Sequence, residues 1–245
     1  MTGLGSVDAA ALVTAWTGRS FKTTGPAPVI TVAGNAAAYN QTYAPGMLLT
    51  IFGSSLSPDG LAASSVPLPA QLDGVSATVN SFTAPLWYVS PGQINLQVPY
   101  EIPPNSTATL TLNNNGQTAT VSFVAAAAAP GIFADGNGAI AGKATAERGD
   151  VATLFLTGAG TVSPAVSDGA APGPITPKPQ QPVAVTVGGI PVPPQAIKFL
   201  GIPPGLVGVT QINYQVPGNA PLGPQPVVVT VGTVSSPPAM LTVTN

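Results

Sequence analysis

Two segments of the chain carry amides at matching positions. Gln93, Asn95 and Gln97 alternate along GQINLQVP (92–99), and Gln211, Asn213 and Gln215 alternate along TQINYQVP (210–217), 118 residues later. In an extended strand such residues share one face, and Ile94, Leu96 and Val98, or Ile212, Tyr214 and Val216, occupy the other. Amides so spaced can bind a polar ligand, or they can bond to neighbouring backbone and close a sandwich corner. Their duplication favours the structural role. Trp87, Tyr88 and Tyr100 offer a second chemistry, a platform for stacking sugars. Adjacent strand residues point to opposite faces, so at most one of Trp87 and Tyr88 belongs to a core. The competing reading makes Trp87 the buried Trp common in sandwiches.

Other candidates reduce to turns. Arg148-Gly149-Asp150 spells an integrin-binding tripeptide, yet it directly precedes a strand and aligns with Pro45-Gly46-Met47. Asp135-Gly136-Asn137-Gly138 resembles part of a calcium loop. A full site needs about six to eight oxygens; the next acid along the chain is Glu147, so a tight polar turn is expected.

Composition removes whole classes of chemistry. There is no His and no Cys among the 245 residues. Imidazole-based triads are therefore excluded, as are ordinary ligand sets for zinc, haem or iron–sulfur groups, and any disulfide framework. Eight Asp and Glu are scattered, with no pair placed by spacing for hydrolysis. Lys143, Lys178 and Lys198 have no evident Ser partner. No cofactor, no metal and no enzymatic activity are expected. Six Lys and Arg cannot form the basic stripe that nucleic acid requires. No long apolar run free of Gly and Pro suggests a membrane span. The start, Met1-Thr2-Gly3-Leu4-Gly5, lacks the features of a signal peptide, so the chain reads either as not exported or as a piece of a longer precursor.

The elements that position these residues are strands. Runs rich in Val, Ile, Thr and Leu alternate with Gly, Pro, Asn and Ser clusters: 47–52, 75–79, 93–98, 108–112, 118–124, 151–156, 183–187, 209–216, 227–231 and 239–243. Period-2 alternation predicts antiparallel sheets with one buried face. Residues 6–16, SVDAAALVTAW, predict one short helix, with Ser6 as cap and Asp8 in the first turn. Val29–Tyr39 reads as an additional strand before the first copy.

The amide segments belong to a longer repeat. Gly46–Phe52 matches Gly149–Phe155, Ser57-Pro58 matches Ser163-Pro164, and Ala77-Thr78-Val79 matches Val185-Thr186-Val187, in unchanged order. Each copy has the length of an immunoglobulin-like sandwich. The expected fold is all-β, two tandem Ig-like antiparallel sandwiches with a short N-terminal helix. The expected division is 1–27 helix and linker, 28–129 first sandwich, 130–245 second sandwich.

Two resemblances accompany these motifs. APGMLLTIFGSSLS, VPLPAQLDGVSATVN, TAPLWYVSPGQINLQVP, AAPGIF, RGDVATLFLTGAG and GLVGVTQINYQVP, in this order, resemble a C-terminal module of secreted acidobacterial (Solibacter-type) proteins, over about residues 28–245. That resemblance implies export and a modular, Ig-like, non-catalytic role, and brings no binding residues. Thr2-Gly3-Leu4-Gly5-Ser6-Val7-Asp8, with the helix ending at Trp16, is similar to the C-terminal end of the catalytic domain of sedolisin-type (pro-kumamolisin-like) serine peptidases. This second resemblance implies that the chain is the tail of a longer secreted peptidase, whose catalytic residues would lie upstream.

The expected function is a non-catalytic extracellular or cell-surface accessory module, serving as spacer or as surface or substrate attachment. Its expected contacts are a polysaccharide or cell surface. The alternative is a self-assembling fibre or surface-layer subunit, with Val29, Ile30, Thr31 and Val32 pairing between chains. The low charge motivates it, because few charges guard the sheet edges.

Overall fold

A computed structural model describes residues 26–245. The helix expected over 6–16 lies outside the described residues. The rest is all-β, arranged as two cores, each clasped between two sheets.

In the first half, one sheet has the strand order Val29–Asn35, Leu48–Ser54, Gln93–Gln97, Leu86–Val89, Leu61–Ala62. The facing sheet runs Gln117–Ala125, Ser106–Asn114, Val75–Val79, Gln71–Leu72. The expected alternation is seen directly: Val75, Ala77 and Val79 are buried while Ser76 and Thr78 are half-buried. Leu49 and Ile51 from one sheet meet Leu110 and Leu112 from the other in a single core. Burying each such side chain contributes about 1.5–3 kcal/mol, which is what holds the two layers together.

The second half repeats this wiring. Gly131–Ile132, Val151–Thr157, Thr210–Gln215 and Ile197–Gly201 form one sheet. Thr145–Glu147, Ala239–Thr244, Gly223–Val231, Val183–Val187 and Ile190–Pro191 form the other. Leu154, Leu156 and Tyr214 pack there against Val185, Val229 and Leu241. The chain between the halves feeds both cores: Ala129 belongs to the first and Ala128 to the second.

One pairing departs from the antiparallel expectation. Thr145–Glu147 runs parallel to Ala239–Thr244. The chain leaves the first sheet of this half after Gly131–Ile132 and crosses to the edge of the second, so it arrives pointing the same way as the last strand. The single parallel bridge Tyr43–Ala125 marks the same crossing in the first half.

Candidate functional site

The amide rows lie on the outer faces of equivalent sheets. Thr50 stands opposite Asn95, and Phe52 opposite Gln93. Thr153 stands opposite Asn213, and Phe155 opposite Gln211. The side chains bond identically in both halves. Thr50 Oγ1 donates to Asn95 Oδ1 at 3.0 Å, and Gln93 Nε2 donates to the same oxygen at 3.0 Å. The corresponding bonds from Thr153 and Gln211 to Asn213 Oδ1 are 3.1 and 2.8 Å. The third amide turns back to the backbone, Gln97 to Gly46 O at 3.2 Å and Gln215 to Gly149 O at 2.8 Å. The rows thus have the structural role that their duplication suggested. They still leave capacity outward, because Asn95 Nδ2 and Gln93 Oε1 have no protein partner among the described residues.

Aromatic rings flank the row in the first half. Tyr88 stands opposite Asn95 on the third strand across. Phe52 lies beyond Thr50, and Tyr39 leans over it, with ring centroids 6.0 Å apart and planes tilted by 39°. Val32, Gly34, Tyr39, Thr50 and Phe52 line a shallow groove of about 440 Å³. Tyr39 reaches this position from a short loop that Asn35 holds. Asn35 Oδ1 accepts from the N–H groups of Ala37 and Ala38, and Asn35 O accepts from the Tyr39 N–H at 2.8 Å. The second half places Phe155 and Phe199 at the positions of Phe52 and Tyr88.

The aromatic platform expected from sequence is not assembled as such. Of its members only Tyr88 is on this face. A register shift between Leu86 and Tyr88 sets Trp87 apart, with its indole Nε1 buried and unpartnered. The Tyr100 ring packs over Gly46, where the two halves meet. Tyr39 and Phe52 were missed: Tyr39 sits in the loop after a strand, and its meeting with Phe52 is a tertiary contact. Val29, Ile30, Thr31 and Val32 belong to Val29–Asn35, which pairs within its own chain along Leu48–Ser54 and forms the sheet edge. Arg148-Gly149-Asp150 is a turn, with Arg148 Nε donating to Ala220 O at 2.7 Å. Asp135 caps its own turn through the N–H groups of Asn137 and Ala139. Among the described residues, no group of three His, Cys, Asp or Glu side chains lies together, and no helix is long and apolar enough to cross a membrane.

The joint between the halves is the most buried polar arrangement. Gln97, 1% exposed, donates to Gly46 O while its Oε1 accepts from the Gly169 N–H at 2.6 Å. Thr157 Oγ1 accepts from the Leu48 N–H at 2.8 Å and donates to Gly208 O at 2.7 Å. Asn35 Nδ2 donates to Ala129 O at 2.8 Å. Asp168 Oδ1 accepts from the Tyr100 N–H at 3.0 Å. Burial pushes the Asp168 carboxyl up to about 6, against the Tyr100 N–H, which lowers it; the neighbouring Glu101 adds to the rise. Burial, and then the Asp168 charge, raise the Tyr100 phenol.

No protein-family profile matches the chain, and no curated protein matches it. Solved structures do align. A surface glycan-binding protein of Prevotella bryantii is 16% identical, with 88% of this chain and 42% of that one covered at a TM-score of 0.31. A surface glycan-binding protein from a mixed-linkage glucan utilization locus of Bacteroides ovatus, in complex with a mixed-linkage heptasaccharide, is 13% identical, covering 85% and 44% at 0.36. A titin tandem of immunoglobulin domains is 13% identical, covering 89% and 95% at 0.26. The chain thus spans less than half the length of either glycan-binding protein. At these TM-scores the likeness says nothing about what this chain binds.

Proposed function

We propose that the chain is a non-catalytic extracellular attachment and spacing unit. It is built from two Ig-like sandwiches and trails a secreted peptidase of the sedolisin type. The joint is the observation that carries this reading. Gln97 and Thr157 are buried between the halves and bond across them, so the pair is held as one body rather than as beads on a string. A spacer needs that stiffness. The near absence of charge, 6% of residues, leaves a neutral surface suited to dense extracellular surroundings.

Small-angle scattering tests it. A single rigid particle is expected, and a profile requiring independently moving halves overturns the reading. A peptidase assay on this chain should be blank; turnover above background would remove the word non-catalytic.

A second reading, assembly through strand pairing, is favoured by one observation. Val29–Asn35 and Gln117–Ala125 both end their sheets, and Val29 and Val124 are exposed. Polymers in light scattering, lost on substitution of Val29–Val32 by charged residues, would support it. A concentration-independent monomer discards it.

A further inference from the structure

We infer that the outer face around Tyr39, Phe52, Gln93 and Asn95 is a binding site for an uncharged polysaccharide chain. This rests on the attachment reading and names what is attached.

Tyr39 is the first support. The residue is 63% exposed and its backbone is left-handed, with φ at 56°. A bulky residue adopts that conformation at a cost of about 1–2 kcal/mol. The bonds from Asn35 impose it, and its effect is to hold an aromatic ring out over Phe52 rather than to bury one. Such backbone outliers concentrate where a ligand is held.

The second support is the chemistry beside the rings. The apolar C–H face of a sugar ring stacks on an aromatic surface, and its hydroxyls both donate and accept. Asn95 Nδ2 and Gln93 Oε1 offer a donor and an acceptor next to Phe52. The bonds that Thr50 and Gln93 both donate to Asn95 Oδ1 hold the two amides in place before a ligand arrives, which lowers the ordering cost of binding. Tyr88 lies two strands across and two residues along from Phe52, about 12 Å away at the spacings of a sheet. Aromatic, amide and aromatic therefore follow one another across the strands, over the length of an oligosaccharide rather than of one sugar.

Charge selects the class. None of these residues is an Asp, Glu, Lys, Arg or His, so the face offers no charge to a uronic acid, a sulfated chain or a phosphate.

The test is affinity electrophoresis of the full chain through native gels containing hydroxyethylcellulose, xylan, galactomannan or dextran, with alginate as the anionic comparison. Retardation by at least one neutral polymer and none by alginate is expected. Tyr39→Asn keeps the left-handed backbone and removes the ring; it should weaken retardation about tenfold, as should Phe52→Ala. Tyr39→Phe should retain binding. Phe82→Ala, an exposed ring on the other sheet, should change nothing. No retardation by any neutral polymer overturns the site, as does retardation indifferent to Tyr39→Asn. A change of mass in light scattering on Tyr39→Asn would show a contact between copies of the chain instead, and would equally overturn it. Small-angle scattering on the same samples separates the failures: a rigid particle without retardation loses the site but keeps the spacer.

Discussion

The equivalent edges around Gly46 and Gly149 share a backbone and differ in what covers them. In the first half the Gly46 N–H donates to Val98 O at 2.9 Å, and the Val98 N–H to Met47 O at 2.8 Å. In the second, Gly149 donates to Val216 O at 2.9 Å, and Val216 to Asp150 O at 2.9 Å. The side chains then diverge. Pro45, Met47 and Leu48 are buried, and Gln97 is sealed beneath the Asp168-Gly169 loop. Arg148, Asp150 and Val151 stand in their places; Val151 is 48% exposed and Gln215 is open to solvent on one side. Lys143, Glu147, Arg148 and Asp150 all cluster at this uncovered end, in a chain with only fourteen charged residues. One frame serves as a socket where the second half sits, and carries charged and more exposed residues at the equivalent positions of the second half.

Matched substitutions sharpen that contrast. The largest effect is expected at the glycines. A Cβ at Gly46, where φ is 72°, would run into the Tyr100 ring, whereas Gly149, at φ 85°, has nothing within 4 Å. Gly46→Ala should destabilise the first half by about 3–4 kcal/mol, and Gly149→Ala the second by only about 1–2. Urea unfolding followed by Trp87, the one Trp among the described residues, measures the first, and calorimetry the second. Equal losses would mean the socket is not packed.

Next come the amides. Gln97→Ala strands the Gly169 N–H and should cost about 2–3 kcal/mol; Gln215→Ala, half-exposed, should cost under about 1. A smaller effect is expected at the paired core positions Leu96 and Tyr214. The Tyr214 hydroxyl is buried without a partner, and burial raises its phenol. Tyr214→Phe should therefore leave the second half as stable, or more stable by about 1 kcal/mol, in thermal unfolding. A clear loss would reveal a bond to that oxygen.

The smallest effect is pH dependence at the joint. The folded Asp168 carboxyl titrates near 6, above its ordinary value of 3.8. The folded chain therefore binds more protons than the unfolded one between those values, and stability falls as pH rises through that window. Glu101, the neighbouring acid that adds to the rise, and the Tyr100 phenol are the titratable groups facing it. Asp168→Asn should flatten the urea midpoint between pH 4 and 7.

Much of this architecture was readable before any coordinates. The runs 75–79 and 183–187 are strands with those bounds, and most others are displaced by only one or two residues. Alternation is a local property, set by the strand's period of two, so it survives without knowledge of partners. The amide rows were legible for the same reason. Trp87 was harder, because a one-residue register shift moves a side chain off its expected face, and alternation alone does not signal one.

Order along the chain thus determined the strands, the doubling of the fold, and the lack of imidazole and thiol chemistry. Tertiary structure alone decided that Tyr100 belongs to the joint, that Tyr39 leans over Phe52, and that Gln97 is sealed while Gln215 is not. The reason is physical. Facing within a strand follows from neighbours two residues away, whereas these contacts join residues from loops and strands far apart in sequence, and depend on left-handed turns and on which surface a second body happens to cover.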